Sequence, residues 1–274
     1  MKGLKNVSIR HLPTEAQTGA MNMALDAVAA ETVSSGGPAS LRIYNWDPST
    51  LTLGYAQKPE TVDWNYCARE GIEVTRRPTG GGAIYHDAVG DISYSIVLPR
   101  AALPDDLTKA YQRLCRPIIS VFKRLGIEVG FAESEREAIF EHACYLRSLH
   151  PAHDLVVFED AANRKISGNA QHRQRDAVIQ HGSLLYSLPA DRHLSCFIDP
   201  DVTREEFDDR VTAIDEQVDI PRANVIQAIE DTLSDAYRPS AGSWSAEELD
   251  RARELVESRF GASDWVRYGD RHEG

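Results

Sequence analysis

"RRPTGGGAIYHD", from Arg76 to Asp87, sets two permanent positive charges just before three residues without side chains, then closes with a short apolar run and His-Asp. Backbone approaches a ligand closely only where side chains are missing, and successive free N–H groups form a concave anion site. Guanidinium groups match the geometry of carboxylate and phosphate. The stretch therefore reads as a site for an anionic or strongly polar ligand at a strand-to-strand turn, with a plain tight hairpin as the alternative. It is not a Walker loop, because neither Gly-Lys-Ser/Thr nor a helix follows.

Outward from the glycines, strands are predicted at 72–77 before the run and near 83–86 and 92–98 after it. Upstream, 41–46 alternates, Asp47-Pro48-Ser49 turns, 50–55 returns, and a helix is expected around 60–70. Thr14 and Gln17 form a capping-box pattern that predicts a helix running to about Val33, where Ser34-Ser35-Gly36-Gly37-Pro38 stops it. Downstream, 105–125 is a long amphipathic helix with Pro117 as a kink point. Further strands are expected at 154–158, 165–171 and 178–186. Helices at 222–237 and 246–260 follow, the second capped by Ser245 with Glu248 three residues on. Strands and helices interleave but hairpins dominate, which predicts an α+β fold: a mixed, mostly antiparallel sheet flanked by helices. The Ser- and Gly-rich stretch 239–245 marks a boundary between a catalytic domain, 1–240, and a short helical extension, 241–274.

Bulk properties narrow the classes. The 274 residues suffice for one large domain with a substantial core. No run of 18 apolar residues is present, so no membrane span is expected, and the polar start Met1-Lys2-Gly3-Leu4-Lys5-Asn6 does not read as a secretion signal. Cys67, Cys115, Cys144 and Cys196 lie far apart without CxxC spacing, which reads as reduced thiols in a cytoplasmic protein. A net charge of −12 argues against a nucleic-acid partner. Of the 30 basic residues only Lys2, Lys5, Lys58, Lys109, Lys123 and Lys165 are lysines. A lysine deep in this chain is therefore unusual for it.

A second segment, "RKISGNAQHRQRDAVIQHGSLL" from Arg164 to Leu185, opens a strand with Lys165, thins the backbone at Ser167-Gly168-Asn169 and places His181-Gly182 on the next strand. In order, Arg-Arg-x-Thr-Gly-Gly-Gly-Ala-x-Tyr-His-Asp, Lys-x-Ser-Gly-Asn-Ala and His-Gly-Ser-Leu-Leu resemble the family of lipoate–protein ligases and cysteine-dependent octanoyltransferases, over about residues 9–188. The resemblance implies the biotin/lipoate ligase catalytic fold, although the Gly-Arg-Gly-Arg pattern of a biotin ligase is absent. It implies that Arg76, Arg77, Gly80, Gly81, Gly82, Ala83, Ile84, Tyr85 and His86 wall the acyl site and, where one is used, the nucleotide site. Gly168, Asn169, His181 and Gly182 would join them. Lys165 matches the family's central lysine, whose ammonium stands at the acyl carbonyl and can stabilise an oxyanion.

Two chemistries run on this fold. An ATP-dependent ligase activates free lipoate, with ATP and Mg, and passes the acyl-adenylate to a protein lysine. A transferase moves octanoate from a carrier thioester onto an enzyme cysteine and then onto the lysine, and needs no cofactor. Cys144, in "FEHACYLRSLHPAHDLVV", resembles the acyl-cysteine of the transferases, and favours that reading. A thiolate is the reactive form and a neighbouring ammonium favours it, which pairs Cys144 with Lys165 as catalytic residues. The stretch between them is longer than expected of that subfamily. Cys144 as a small buried residue is the bland alternative. His142, Cys144, His150 and His153 do not have zinc spacing, and no metal is expected. The other cysteines read as packing. About 30 residues follow Trp244, too few for the accessory domain of many ligases. A non-catalytic lipoyl-binding protein is a third reading, opposed by the intact Arg77, glycines and Lys165. The implied partners are lipoyl domains of 2-oxoacid dehydrogenases or glycine cleavage proteins as acceptors. The donor would be an acyl carrier protein, another lipoylated protein or free lipoate. Arg173 and Arg175 are candidates for docking an acidic lipoyl domain.

Overall fold

The computed structural model describes residues 7–151, 153–159 and 163–269; residues 1–6, read above as a polar start, lie outside them. The chain runs β1 (Ile9–His11), β2 (Ala16–Gln17), α1 (Gly19–Ser34), β3 (Ala39–Trp46), β4 (Thr50–Leu53), α2 (Trp64–Arg69), β5 (Glu73–Arg76), β6 (Ile84–His86), β7 (Asp91–Pro99) and α3 (Leu107–Arg124). It continues β8 (Val129–Phe131), β9 (Leu155–Val157), β10 (Arg164–Arg173), β11 (Ala177–Leu185), α4 (Ala190–Ser195), α5 (Arg204–Asp208), α6 (Ile214–Gln217), α7 (Arg222–Tyr237), β12 (Ser240–Ala241), α8 (Ala246–Leu255) and α9 (Ser263–Tyr268).

The large sheet has the order β12-β1-β3-β7-β11-β10-β9-β8, with β2 paired to β3. It is antiparallel from β3 to β8 and parallel where β1 meets β3 and β12. This is the mixed α+β sheet that the pattern of hairpins predicts. Alternation decides what each face carries. One face, with Leu41, Ile43, Tyr94 and Ile96, packs on Leu114 and Ile118 of α3 and Ile229 and Leu233 of α7. The other face is covered by α1 and holds a far more polar set, described below. A small sheet, β5-β4-β6, stands apart.

Three expectations change. Residues 41–46 and 50–55 do not pair as a hairpin: β3 belongs to the large sheet and β4 to the small one, so the Asp47-Pro48-Ser49 turn carries the chain between sheets. α1 starts later than its capping-box pattern predicts. Ala16 and Gln17 are held by β3 in parallel pairing, and Thr18 is the cap, accepting from Met21 N at 3.2 Å. Glu73 of β5 supplies the other cap, accepting from Gly19 N and Ala20 N at 2.6 and 2.8 Å. Residues 60–70 hold a single 3-10 turn, Pro59–Thr61, before the short α2. α3, by contrast, runs on through Pro117 as one helix, and the Ser245–Glu248 capping box is formed.

The C-terminal segment is tied in at three levels. β12 pairs with β1, Ala252 and Leu255 of α8 pack with Ala20, Met23 and Ala24 of α1, and Thr75 donates to Phe260 O at 2.7 Å. Arg76 completes the link. Its guanidinium donates to the carbonyls of Gly54, Tyr55 and Gln57 on one side and of Trp265, Val266 and Arg267 on the other. Among the described residues, no helix is long and apolar enough to cross a membrane.

Candidate active site

The glycine run serves three purposes, one per residue. Gly81 holds φ at +99°, the left-handed region that side chains disfavour. Gly82 lets the loop that carries Cys144 close on it: a Cβ there would stand 2.8 Å from Cys144 N and 3.0 Å from the Ala143 carbonyl carbon. Ala83 N then donates to His142 O at 2.7 Å, and Cys144 N to Ala83 O at 2.8 Å. Gly80 has open space beside it. The loop therefore seats the candidate nucleophile on its far side while exposing backbone to a cavity.

Arg77 lies beneath this loop and is buried. It donates to Gly80 O and Gly82 O at 2.8 and 2.7 Å, to Thr52 O at 2.9 Å and to Thr79 Oγ1 at 3.1 Å. Burial pulls its pKa down to about 10. Its partners are neutral oxygens, so its charge acts on the cavity without a carboxylate to cancel it. Arg76 faces away, towards the six carbonyls above, and the sequence reading of it as a ligand residue does not match its position. Ala83 and Tyr85 are buried in the core beside the cavity, with Tyr85 bonded to Asp87 at 3.0 Å.

The cavity has about 420 Å³ of empty space, mouth included. Arg77, Gly80, Gly81, Ile84, His86, Cys144, Gly168, Asn169, His181 and Gly182 all line it, so the three sequence motifs converge. Its floor follows from strand register. Gly168 pairs with Ser183, Ser183 with Ser93, and Ser93 with Tyr44. All four line the cavity. Partners in register share a face, so this is a row of small residues across β10, β11 and β7 that ends on a large ring in β3. Three inter-strand steps of about 4.8 Å make a trough about 14 Å long. It starts beside Cys144: a Cβ at Gly168 would stand 3.4 Å from the Cys144 Sγ.

Two buried acids support this floor. Asp91 accepts from His86 Nδ1 at 2.9 Å, Ser93 Oγ at 2.7 Å and Trp46 Nε1 at 3.3 Å, and closely from Ser183 Oγ. The floor hydroxyls of Ser93 and Ser183 are thereby satisfied by a neighbour on the same face of β7. His86 stacks on Trp46, centroids 4.0 Å apart, and meets Thr52 Oγ1 through Nε2 at 3.0 Å. Burial holds the His86 pKa down against the pull of Asp91. Asp26 of α1 binds Arg42 at 2.6 Å and His181 Nδ1 at 3.1 Å, while His181 Nε2 meets Thr79 Oγ1 at 2.7 Å. Burial opposes ionisation of Asp26, but Arg42 and His181 outweigh it and lower its pKa. Asn169 is fixed by Tyr94, Tyr111 and Ser167 at 2.8, 3.0 and 3.0 Å.

Beside Cys144, the buried Lys165 has its Nζ 3.8 Å from Cys144 Sγ and 3.1 Å from Cys144 O. The long stretch between these residues does not keep them apart. A β-bulge between Lys165 and Ser167 turns the strand here. The backbone of Lys165 is clamped by Arg210 O and Thr212 N at 2.7 and 3.0 Å. Asp154, not singled out in the sequence, lies 2.5 Å from Lys165 Nζ. Cys144 is partly exposed while Cys67, Cys115 and Cys196 are buried. Burial pushes the Cys115 thiol's pKa up. His150 and His153 contact each other, Nδ1 to Nδ1 at 3.0 Å, whereas the His142 ring packs on Phe140. No three metal-ligating side chains converge among the described residues. Arg173 is drawn onto Pro104 O and Asp105 O, both at 3.1 Å, and Arg175 is exposed.

The profile of a family described as lipoyl protein ligase A/B catalytic domain matches residues 18–234. The chain belongs to that family. Its relatives include octanoyltransferase LipM of Geobacillus kaustophilus, 31% identical over 269 residues, 90% of this chain and 93% of that one. Octanoyltransferase LipM of Bacillus subtilis is 29% identical over 266 residues, again 90% and 93%. Among solved structures, a bi-partite lipoate protein ligase from Thermoplasma acidophilum superposes with a TM-score of 0.80 at 23% identity, covering 98% of this chain and 99% of that one. A lipoate-protein ligase A bound with ATP gives 0.78 at 23% identity, covering 96% and 100%. At such identity these two establish the fold of the lipoyl ligase family member rather than its chemistry.

Proposed function

We propose that this enzyme lipoylates proteins by octanoyl transfer: Cys144 takes an octanoyl group from a carrier thioester and hands it to one lysine of a lipoyl domain. The observation that carries the reading is the Cys144–Lys165 pair, 3.8 Å apart, with Cys144 on the wall of a cavity floored by a row of small residues. The octanoyltransferase relatives, aligned over nine-tenths of the chain, support it. The Cys144 thiolate attacks the thioester carbonyl. The oxyanion forms beside the Lys165 ammonium, which is worth most in a water-poor site. The C–S bond to the carrier breaks and the carrier thiolate leaves. The acceptor amine then attacks the acyl-cysteine, a C–N bond replaces the second C–S bond, and Cys144 returns as thiolate while the amine's proton leaves. No cofactor enters this cycle. Lipoyl domains of 2-oxoacid dehydrogenases and glycine cleavage proteins are the proposed acceptors, and acyl carrier protein the donor.

The test mixes the protein with octanoyl-carrier and no acceptor. The enzyme should gain one octanoyl group on Cys144, read by intact mass and peptide mapping. Cys144→Ser should lose nearly all turnover, since a hydroxyl is far less ionised than a thiol. A fully active serine variant that requires ATP and free lipoate would replace this reading with ligation through an adenylate.

A further inference from the structure

α3 carries a line of charge that the candidate site does not use. Lys109, Arg113, Arg116 and Lys123 stand at positions i, i+4, i+7 and i+14 of that helix. At about 3.6 residues per turn this puts all four on one side, in a stripe about 21 Å long. The opposite side buries Ala110, Leu114, Ile118 and Val121 in the core. Lys109, Arg116 and Lys123 are exposed and Arg113 is half-buried. The acids across from them on α7, Asp231 and Asp235, are held by Arg124 at 2.7 and 3.9 Å. Among the described residues, none of the four cations forms an ion pair. Arg113 Nη2 is buried without a hydrogen-bond partner. In a chain of net charge −12, the stripe is a local excess of the opposite sign.

The stripe begins beside the candidate site. Tyr111, on the buried side of α3 between Lys109 and Arg113, donates to Asn169 O at 3.0 Å, and Asn169 lines the cavity. The same ring meets His153 edge-on, centroids 5.0 Å apart. Asp154, next to His153, lies 2.5 Å from Lys165 Nζ. One layer of residues therefore separates the first turns of α3 from the Cys144–Lys165 pair. Arg173 and Arg175 add little to the charge here. Arg173 is drawn onto backbone carbonyls at the helix start, and Arg175 shares a surface hollow with Asp105 and Asp176.

Resting on the octanoyl-transfer reading, we propose that this stripe seats the donor: a small acidic carrier protein that bears the octanoyl thioester on a flexible prosthetic arm. The two protein substrates of the reaction differ in reach. The carrier's arm lets its body rest away from the cysteine. The acceptor lysine belongs to the surface of its own domain, and that surface must come to the site itself. A face that starts one layer of residues from the catalytic pair and runs on for about 21 Å fits the first of these. Single exposed cations contribute little affinity, but four in a line raise the encounter rate with an acidic body. The acidic surface elsewhere repels that body and so fixes its orientation. A nucleic acid, charged along its whole length, meets the same repulsion beyond the stripe.

The experiment measures acyl-enzyme formation in the full-length protein from two donors: octanoyl-acyl carrier protein and octanoyl-pantetheine, the same thioester without a protein body. Arg116→Glu/Lys123→Glu should lower kcat/KM for the carrier by about tenfold or more, through KM, and flatten its fall with added salt. Octanoyl-pantetheine should react with this variant as with wild type. Arg204→Glu/Arg253→Glu changes the net charge equally on α5 and α8, where the ion pairs are exposed. It should leave the carrier rate within about twofold of wild type. Should the reversed pair fail to fold, Arg116→Gln/Lys123→Gln should show a smaller loss of the same kind, again in KM and with the carrier alone. An unchanged carrier rate, an equal loss with both donors, or an equal loss in the α5/α8 variant would overturn the proposal. So would a loss confined to transfer from preformed acyl-enzyme to the lipoyl domain, which would make the stripe the acceptor's seat. A wild-type enzyme that forms acyl-cysteine from neither donor would instead remove the octanoyl-transfer reading itself.

Discussion

At the scale of residues, the three adjacent glycines differ in what a side chain would do to them. A β-branched residue at Gly81 would be strained at φ +99° and its Cβ would press on Arg77 Nη2, 2.9 Å away. Gly81→Val should therefore abolish octanoyl transfer while the protein remains folded, read by product mass on a lipoyl domain alongside the thermal melt. Full activity in a folded variant would reduce the run to a turn. The charge beneath the loop acts differently from the sequence reading, in which Arg76 and Arg77 both bind ligand. Arg77 spends its donors on the carbonyls of Gly80 and Gly82, so it shapes the loop and sets the local field. Arg76 shapes the fold.

At the scale of elements, Arg76 joins the β4–α2 connection to α9 through six carbonyls. Buried acceptors left without donors each cost about 1–3 kcal/mol. Arg76→Met should lower stability by about 3 kcal/mol or more, and limited proteolysis should cut earliest near 263–268. A melt unchanged from wild type would show that α9 is held by its apolar contacts alone. Elements with strong local signals were legible in the sequence: alternation gave β3, amphipathic patterning gave α3, a capping box gave the start of α8, and β7, β11 and α7 lie close to the ranges expected. The start of α1 was not, because its cap depends on β3 pairing and on Glu73, more than 50 positions downstream. For the same reason the motifs pointed to Cys144 and Lys165 but not to Asp154, Asp26 or Asp91. Asp154 and Asp26 work through partners that only the tertiary fold brings near, and a single Asp in "HPAHDLVV" carries no local mark of that; Asp91 has His86 and Ser93 close in sequence, but its bonds to Trp46 and Ser183 come from other strands.

At the scale of the whole molecule, several imidazoles are buried as neutral rings. His193 is the extreme case. Neither ring nitrogen has a partner, the ring sits among Tyr85, Tyr145, Phe197 and Phe207, and burial, with a smaller push from His86, lowers its pKa to about 3. His86 and His153 are also lowered, mainly by burial. A depressed histidine pKa means that the unfolded chain binds protons first. Its stabilising effect is whole above about 6.5, the ordinary value, and is lost as pH falls towards the folded value. Asp26 and Glu248, both with lowered pKa values, the latter to about 2, add a second loss at lower pH. The urea midpoint should thus fall on acidification from pH 7 to 5, before carboxylates protonate. His193→Phe should flatten that early fall and raise neutral stability by about 1 kcal/mol, since two unsatisfied polar atoms leave the core. A variant with an unaltered acid profile would sink the assignment. The Arg76 clasp also has a consequence in time. A chain made from its N-terminus at about 5–20 residues per second has its glycine loop and both candidate catalytic residues outside the ribosome well before residues 263–268 are synthesised. Until those emerge, Nε and Nη2 of Arg76 lack their three carbonyl acceptors. Nascent chains should then be silent towards acyl carriers, and abortive fragments should not sequester octanoate.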